Sequence, residues 1–343
     1  MNAQSTSDAA AKEPASAVHD GQHDFDFDFG TWKTHSSRLL HPLTGSKAWA
    51  DMDGLTIVKK IWDGRANIAE YKADGPAGQV ELLSLRWYNP TAHQWNLDFA
   101  TPNVGVLGVP AVGVFNNGRG DFYDQEEING KYVLVRFSIW GVGTDKGQSE
   151  QAFSEDGGKT WEVNWVNRYE RTSDETQIDW SKDVATNDPG RHDFDFNVGV
   201  WHTAITRILD PFGVSQQSME INGTVSVRKI WGGRAQLEEI EAGGPKGHWE
   251  ALTLFLYNPK SHQWNQSFIN SSQGVLNSPL IGAFKHRRGE LLSQDTFKDR
   301  SILVKGVWSE IEPNSHRYEE SYSEDGGKTW KPAFIGNLTR VKT

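Results

Sequence analysis

The chain predicts an all-β protein built from two tandem antiparallel barrels. Three observations carry that expectation. The first is a repeat on the scale of a whole domain. HDFDFDFGTW at 23–32 returns as HDFDFNVGVW at 192–201, KIWDGRA at 60–66 as KIWGGRA at 229–235, YNPTAHQWN at 88–96 as YNPKSHQWN at 257–265, and SEDGGKTW at 154–161 unchanged at 323–330. One shift of 169 residues serves all four blocks, so the unit is a domain and not a short solenoid motif. The second is texture: short runs of Val, Ile, Leu, Trp, Tyr and Phe alternate with the turn signals NGRG, INGK, DGGK, DGPAG and YNP. The third is that no segment keeps a long 3.6-residue apolar period.

Residues 1–22 (MNAQSTSDAAAKEPASAVHDGQ) are rich in Ala and Ser and hold almost nothing large to bury, which predicts disorder. They lack the apolar core of a signal peptide, although such Ala/Ser/Pro stretches often follow a cleaved one. A first barrel is expected over 23–172, a polar and acidic linker over 173–191, and a second barrel over 192–343. Trp180 in the linker is expected to pack on a domain surface. In the opening HDFDFDF, strand alternation would put Phe25, Phe27 and Phe29 on one face and Asp24, Asp26 and Asp28 on the other. The same alternation sends His23 away from the carboxylates and argues against a metal there. QVELLSLRWYN, KYVLVRFSIWG and TWEVNWVNRYER have strand length and strand composition. About nine or ten strands per copy suit a meander, and edge-free closure favours a barrel over a sandwich.

Composition excludes several function classes. The formal net charge is −10 without a run of Lys or Arg, which argues against nucleic acid or an anionic membrane as partner. There is no cysteine, so thiolate nucleophiles, disulfides and Cys-ligated metals are out. Zero Cys fits the cytoplasm and equally a bacterial periplasmic protein. No apolar run approaches the ~20 residues that span a membrane as a helix. No nucleophile elbow, phosphate-binding glycine loop, His-x-x-x-His pair or acidic calcium loop is present, so neither a cofactor nor a metal is expected.

Gly30-Thr31-Trp32 and Gly199-Val200-Trp201 resemble the lipocalin Gly-x-Trp signature, whose Trp packs across the closed end of a barrel. The full set of HDFDF with G-x-W, W-x-G-R, Y-N-P…W, G-x-F…G-R-G and F-S-E-D-G-G-K-T-W resembles an uncharacterised bacterial lipocalin-like (calycin-type) domain family, here as a tandem duplication. The resemblance covers both copies and implies a central pocket. It carries no agreed activity, so no residue role transfers. SEDGGKTW also matches the Asp-box of sialidase blades, a structural hairpin device that gives no support to a sialidase.

Candidate site residues follow from side chains that a barrel would otherwise not need. Trp32, Trp95 and Trp140, with Trp201, Trp264 and Trp308 as counterparts, together with Tyr88 and Tyr257, could wall a pocket for a flat apolar guest or form core. Arg65/Arg234 and Glu70/Glu239 recur five residues apart, and Glu150/Glu319 recur beside Gln151 and Glu320. A buried Arg–Glu plug that fixes register is one reading; a pocket carboxylate that moves protons is the other. His35 and Arg38, and His202, Arg207 and His248 in the second copy, are further wall candidates. His93 and His262 in the YNP loops read as turn residues or as general bases.

The leading expectation is binding of a small hydrophobic or aromatic molecule in a barrel pocket. The alternative is a cofactor-free, metal-independent isomerase, hydratase, lyase or cyclase using Glu70, Glu239, Glu150, Glu319 or His35. Paired lipocalin-like barrels in carotenoid hydratase-type enzymes support it by fold analogy alone. A carbohydrate-binding module with Trp in a surface row is the third reading. The copies differ most at 97–112 against 266–281, which points to different mouths.

Overall fold

The computed structural model describes residues 20–76, 78–141, 143–172, 177–180, 188–215 and 217–342. The expected disorder of the leading segment therefore falls, for 1–19, outside the described residues, as does much of the linker. Barrel 1 consists of β1 (Gly30–Leu39), β2 (Trp49–Ile61), β3 (Ala66–Gly75), β4 (Gly78–Asn89), β5 (Gln94–Ala100), β6 (Ala111–Asn116), β7 (Arg119–Ile128), β8 (Lys131–Trp140), β9 (Lys146–Ser154) and β10 (Glu162–Thr172). Barrel 2 repeats the series as β11 (Gly199–Ile208), β12 (Ser218–Ile230), β13 (Ala235–Gly244), β14 (Gly247–Asn258), β15 (Gln263–Asn270), β16 (Leu280–Lys285), β17 (Arg288–Phe297), β18 (Arg300–Glu312), β19 (Ser315–Ser323) and β20 (Lys331–Arg340). Each set is a closed antiparallel meander in which every strand pairs with its sequence neighbours and the last closes on the first. The all-β double-barrel expectation holds. Ten strands make a wider ring than the eight that side chains just fill.

The HDFDFDF segment departs from the expected strand. It is a turn running into a 3₁₀ turn at Asp26–Asp28. Phe25 and Phe27 tuck under the barrel with ring centres 6.3 Å apart, and His23 lies 3.2 Å from Asp26 instead of pointing away from the carboxylates. Asp28 turns inward, where Arg86 Nη1 donates to it at 2.5 Å with both side chains more than nine-tenths buried. Trp32 closes the floor: its indole donates to Asp28 O at 2.8 Å, and the Arg171 guanidinium lies 4.0 Å above its ring. Barrel 2 copies this floor with Trp201 donating to Asn197 O at 2.8 Å under Arg340 at 3.9 Å.

The runs LLSLRWY in β4 and ALTLFLY in β14 are buried at nearly every position. Alternation fails there because both faces are covered: one faces the lumen, the other faces the second barrel. Ile61, Ile68, Leu83, Leu85 and Trp87 pack against Ile230, Leu237, Leu252, Leu254 and Leu256 in one shared core. Around it the contacts obey a pseudo-twofold. Arg65 Nη2 meets Glu250 Oε2 at 2.6 Å, and Arg234 Nη1 meets Glu81 Oε2 at 2.7 Å, each pair being the other's counterpart under the 169-residue shift. The counterpart glycines Gly274 and Gly105 each accept across it from a different kind of donor, Trp87 Nε1 at 3.0 Å and Asn265 Nδ2 at 2.9 Å. This is an isologous interface formed within one chain.

The Asp-box hairpins take their structural reading. Asp156 accepts from the amides of Lys159 and Thr160 at 2.9 Å each and from the Thr160 hydroxyl at 2.7 Å, with Asp325 equivalent in copy two. Those bonds, led by the Thr160 amide, hold the Asp156 carboxyl down at about 2. No helix among the described residues is long and apolar enough to cross a membrane.

Candidate functional site

The pairing register fixes which side chains enter barrel 1. Trp32, Thr34 and Ser36 on β1 face inward opposite Arg171, Tyr169 and Asn167 on β10. Thr56 and Tyr71 join them from β2 and β3, Ser84 from β4 and Ser149 from β9. Above the aromatic floor these residues form a polar belt. Tyr71 OH lies 2.6 Å from Ser36 Oγ, which donates to Asn167 Oδ1 at 2.6 Å. Asn167 Nδ2 donates to Ser149 Oγ at 3.0 Å, and Ser149 Oγ lies 2.8 Å from Tyr169 OH. Thr34 and Thr56 share a further hydroxyl pair at 2.8 Å. Burial pushes the Tyr71 phenol up to about 12 and holds Tyr169 above its ordinary range, so both phenols stay protonated donors.

Several lumen groups at and around this belt have no protein partner among the described residues. They include both ends of the Asn67 amide, Ser84 Oγ, Asp124 Oδ1 and Trp165 Nε1. A buried polar atom without a partner costs about 1–3 kcal/mol, so such groups are ordinarily met by ordered water or a polar guest. Asp124 stands on the lumen side of β7, two places beyond Phe122. Burial, with the negative charges of Glu126 and Asp98, pushes its carboxyl up to about 7. Arg38 lies 4.9 Å over the Trp165 ring, and Tyr71 packs edge-on to Trp165 at 6.2 Å.

Barrel 2 has a different interior at the same positions. Ser36, Tyr71, Asn167 and Tyr169 become Ile205, Ile240, Gly336 and Leu338, and Thr56 becomes Val225. Ile205, Val225, Ile240 and Leu338 pack with Trp201 into one apolar cluster. Some polarity remains: Thr253 Oγ1 donates to the buried Glu238 carboxyl at 2.8 Å, and further polar groups stand on β19. Tyr318 OH donates to Glu320 Oε2 at 3.3 Å, and burial holds the Glu320 carboxyl above the usual carboxylate range. On the same strand His316 is 2% exposed, its ring 4.3 Å from that of Trp201, and burial pushes it down to about 4.

The residues singled out from the sequence scatter over five places. Trp32, Trp95, Trp201 and Trp264 are buried floor residues whose indole N–H groups are spent on backbone carbonyls, Trp95 on Gly21 and Trp264 on Gly190, both at 2.8 Å. Tyr88 and Tyr257 pack against Trp95 and Trp264. His93 and His262, beside these tyrosines, occupy turn positions with φ of 53° and 55°. Trp308 enters the barrel 2 lumen and donates to Gln266 Oε1 at 3.0 Å. Trp140 is not its counterpart: the register makes Ile139 the equivalent of Trp308, and Trp140 lies on the outer wall under Arg119 at 4.7 Å.

Arg65, Arg234 and Glu70 belong to the interface between barrels. Glu70 Oε1 accepts from the Trp231 amide at 3.3 Å, so no Arg65–Glu70 plug exists inside the barrel. Glu239 pairs with Arg228 on the outside. Glu150 and Glu319 point away from the lumen, toward Gln148 at 3.1 Å and Arg317 at 3.0 Å respectively. His35 is on the outer face with Asp53 at 2.8 Å, and His202 is exposed too. Beside Asp28, the carboxyls that do reach the interiors include Asp124 in barrel 1 and Glu320 and Glu238 in barrel 2, the last accepting from Thr253 at 2.8 Å and Asn197 at 3.3 Å. Glu320 sits one place from Glu319, which the repeat highlights, and comparing the two copies position by position would have exposed it. Among the described residues no group of three or more His, Asp or Glu could hold a metal ion.

No family model and no curated protein matches the chain. Among solved structures it is similar to the S-type phycobiliprotein lyase CPES from Guillardia theta, at 12% identity over 44% of this chain and 91% of that one, with a TM-score of 0.32. It is similar to a DUF3598-family protein of unknown function from Nostoc punctiforme, at 9% identity over 94% and 99% of the two chains and a TM-score of 0.24. It is similar to a transferrin binding protein B mutant from Haemophilus parasuis, at 8% identity over 91% and 76% and a TM-score of 0.20. Superpositions this loose carry no argument about function, and the double barrel rests on its own strand pairing.

Proposed function

We propose that barrel 1 binds a small, partly polar hydrophobic or aromatic molecule in the upper half of its lumen, and that barrel 2 serves mainly as its structural partner. One observation carries the reading. The duplication supplies an internal control: barrel 2 closes the same fold with Ile205, Ile240 and Leu338 where barrel 1 holds Ser36, Tyr71 and Tyr169. Buried hydroxyls cost free energy that aliphatic side chains do not, so the belt is not there for stability. Phe99, Phe137, Trp165 and Met52 offer apolar contact beside it, and the phenols, Arg38 and the Asn67 and Ser84 groups offer directional bonds.

The test is to transplant the barrel 2 lumen into barrel 1 (Ser36→Ile, Tyr71→Ile, Ser149→Tyr, Asn167→Gly, Tyr169→Leu). Protein purified from its own host is examined by native mass spectrometry, and anilinonaphthalene sulfonate is titrated as a probe. The wild type carries a small molecule or binds the probe saturably; the five-residue variant stays folded and loses it. Equal binding by both proteins sinks the lumen reading.

Asp124 favours a second reading, in which the bound molecule undergoes proton transfer. A carboxyl held near 7 is divided between its two protonation states at neutral pH, as a general acid or base requires. Asp124→Asn would then stop conversion of the copurified molecule while leaving it bound; conversion at the wild-type rate would rule Asp124 out.

A further inference from the structure

The pseudo-twofold between the barrels is broken most openly around its two Arg–Glu pairs. At one end of the interface the linker residue Trp180 covers the Arg234–Glu81 pair. Its ring lies 5.7 Å from the Arg234 guanidinium and 5.3 Å from Lys72 Nζ, and Lys72 donates to Asp179 O at 2.7 Å. The fit against the Gly232 turn is close: a Cβ on Gly232 would come 2.7 Å from Trp180 Cβ. Arg234 also lies 5.6 Å from the Trp231 ring, so its guanidinium stands between two indoles. Under that cover its side chain is 13% exposed.

At the other end Trp62, Arg65 and Glu250 stand where Trp231, Arg234 and Glu81 stand. No described side chain takes the place of Trp180. Arg65 is 31% exposed, more than twice the value of its counterpart, and with Trp62 and Glu250 it lines an open cleft of about 350 Å³. Gln22, Tyr88 and His248 also line it. Residues 1–22, which lead into barrel 1, contain no Trp, Tyr or Phe. Trp62 Nε1 is buried in this wall without a partner among the described residues, as is its counterpart Trp231 Nε1 at the closed end.

We propose that this cleft is a second binding site, for a small planar aromatic molecule of about indole size that lies over Arg65 as Trp180 lies over Arg234. The volume lies at the small end of the range for ligand pockets, about 300–1,000 Å³, which suits one or two fused rings. A ring stacked on Arg65 would gain cation–π attraction and shield the Arg65–Glu250 pair from water, as Trp180 does for Arg234–Glu81. A ring N–H would find the Glu250 carboxylate and the hydroxyls of Ser271 and Ser272 at the cleft wall.

The experiment is a ¹⁹F NMR titration of 5-fluoroindole into the full chain and three variants. The wild type shows saturable binding. Gln22→Trp, at a partly exposed wall position, plugs the cleft and weakens binding about tenfold or more. Trp180→Ala opens the closed end, gains one further equivalent of bound probe, and is stabilised against heat by 5-fluoroindole more than the wild type is. The five-residue lumen transplant keeps the cleft signal, which separates this site from the one proposed in barrel 1. Absence of saturable binding, indifference to Gln22→Trp, an unchanged stoichiometry in Trp180→Ala, or loss of binding in the lumen transplant alone would each overturn the proposal.

Discussion

Arg86 and Asp28 show how one ion pair can be indispensable in one copy and dispensable in the other. Arg86 is held between Asp28 and the Phe25 ring, 5.0 Å from its centre, in a floor with little access to water. Removing one member leaves the other charge buried without its partner, which costs about 3–5 kcal/mol, whereas replacing both with groups that suit the site is often neutral. Barrel 2 provides that replacement, since Asn197 and Phe255 occupy the two positions. Arg86→Ala should therefore lower the stability of barrel 1 by about 3–5 kcal/mol in urea unfolding. The joint swap Asp28→Asn with Arg86→Phe should recover most of that loss. A joint swap as damaging as the single change would mean that the pair is required in its own right.

At the scale of the strand, what decides a role is phase. Glu319 and Glu320 are neighbours, yet one faces solvent beside Arg317 and the other faces the lumen beside Tyr318. The sequence makes Glu319 conspicuous because it recurs as Glu150, while Glu320, whose counterpart is Gln151, does not recur. Burial raises the folded-state pKa of Glu320 above its unfolded value, so the folded protein holds that proton more tightly. Stability contributed by this group is then present below the unfolded pKa and is lost as pH rises through the folded one. Glu320→Gln should raise the unfolding midpoint at pH 8 more than at pH 4, and Glu319→Gln should change either by no more than about 0.5 kcal/mol. Equal effects at both pH values would place Glu320 in water. The same question of phase explains what was legible beforehand. Turn signals and the 169-residue repeat are local and robust, so the barrels and the Asp-box hairpins could be read from them. The inward set could not, because β-bulges shift the register at Val163/Trp165 and Glu320/Ser321. HDFDFDF defeated alternation for another reason: capping a barrel floor needs a tight turn, and Asp28 is drawn inward by Arg86. β4 and β14 hid their lumen face because the other face is buried as well.

For the whole molecule the issue is whether two barrels behave as one body, and the interface glycines answer it in a way that can be measured. Gly105 and Gly274 have φ of 57° and 59°, a region that a side chain makes costly by roughly 1–2 kcal/mol. The greater constraint is contact across the pseudo-twofold. A Cβ on Gly105 would lie 2.1 Å from Tyr257 O, and one on Gly274 would lie 2.5 Å from Asn89 Cα and 2.7 Å from Tyr88 O. These neighbours are backbone at the ends of β14 and β4, tied into the barrel ladders by their own hydrogen bonds, so they cannot step aside as a flexible side chain would. The carbonyls of the same glycines also receive the Asn265 amide and the Trp87 indole, so displacing either loop leaves a buried donor unpaired. With a shared apolar core between them, the wild-type barrels should melt in one calorimetric transition. Gly105→Ala should push the loop off barrel 2, split that transition in two and speed proteolysis in the 173–191 linker. Gly274→Ala should do the same from the other side, because the pseudo-twofold makes the two loops equivalent. A single unsplit transition in both variants, with linker cleavage unchanged, would show that the apolar core alone holds the barrels together and that the glycine contacts contribute little.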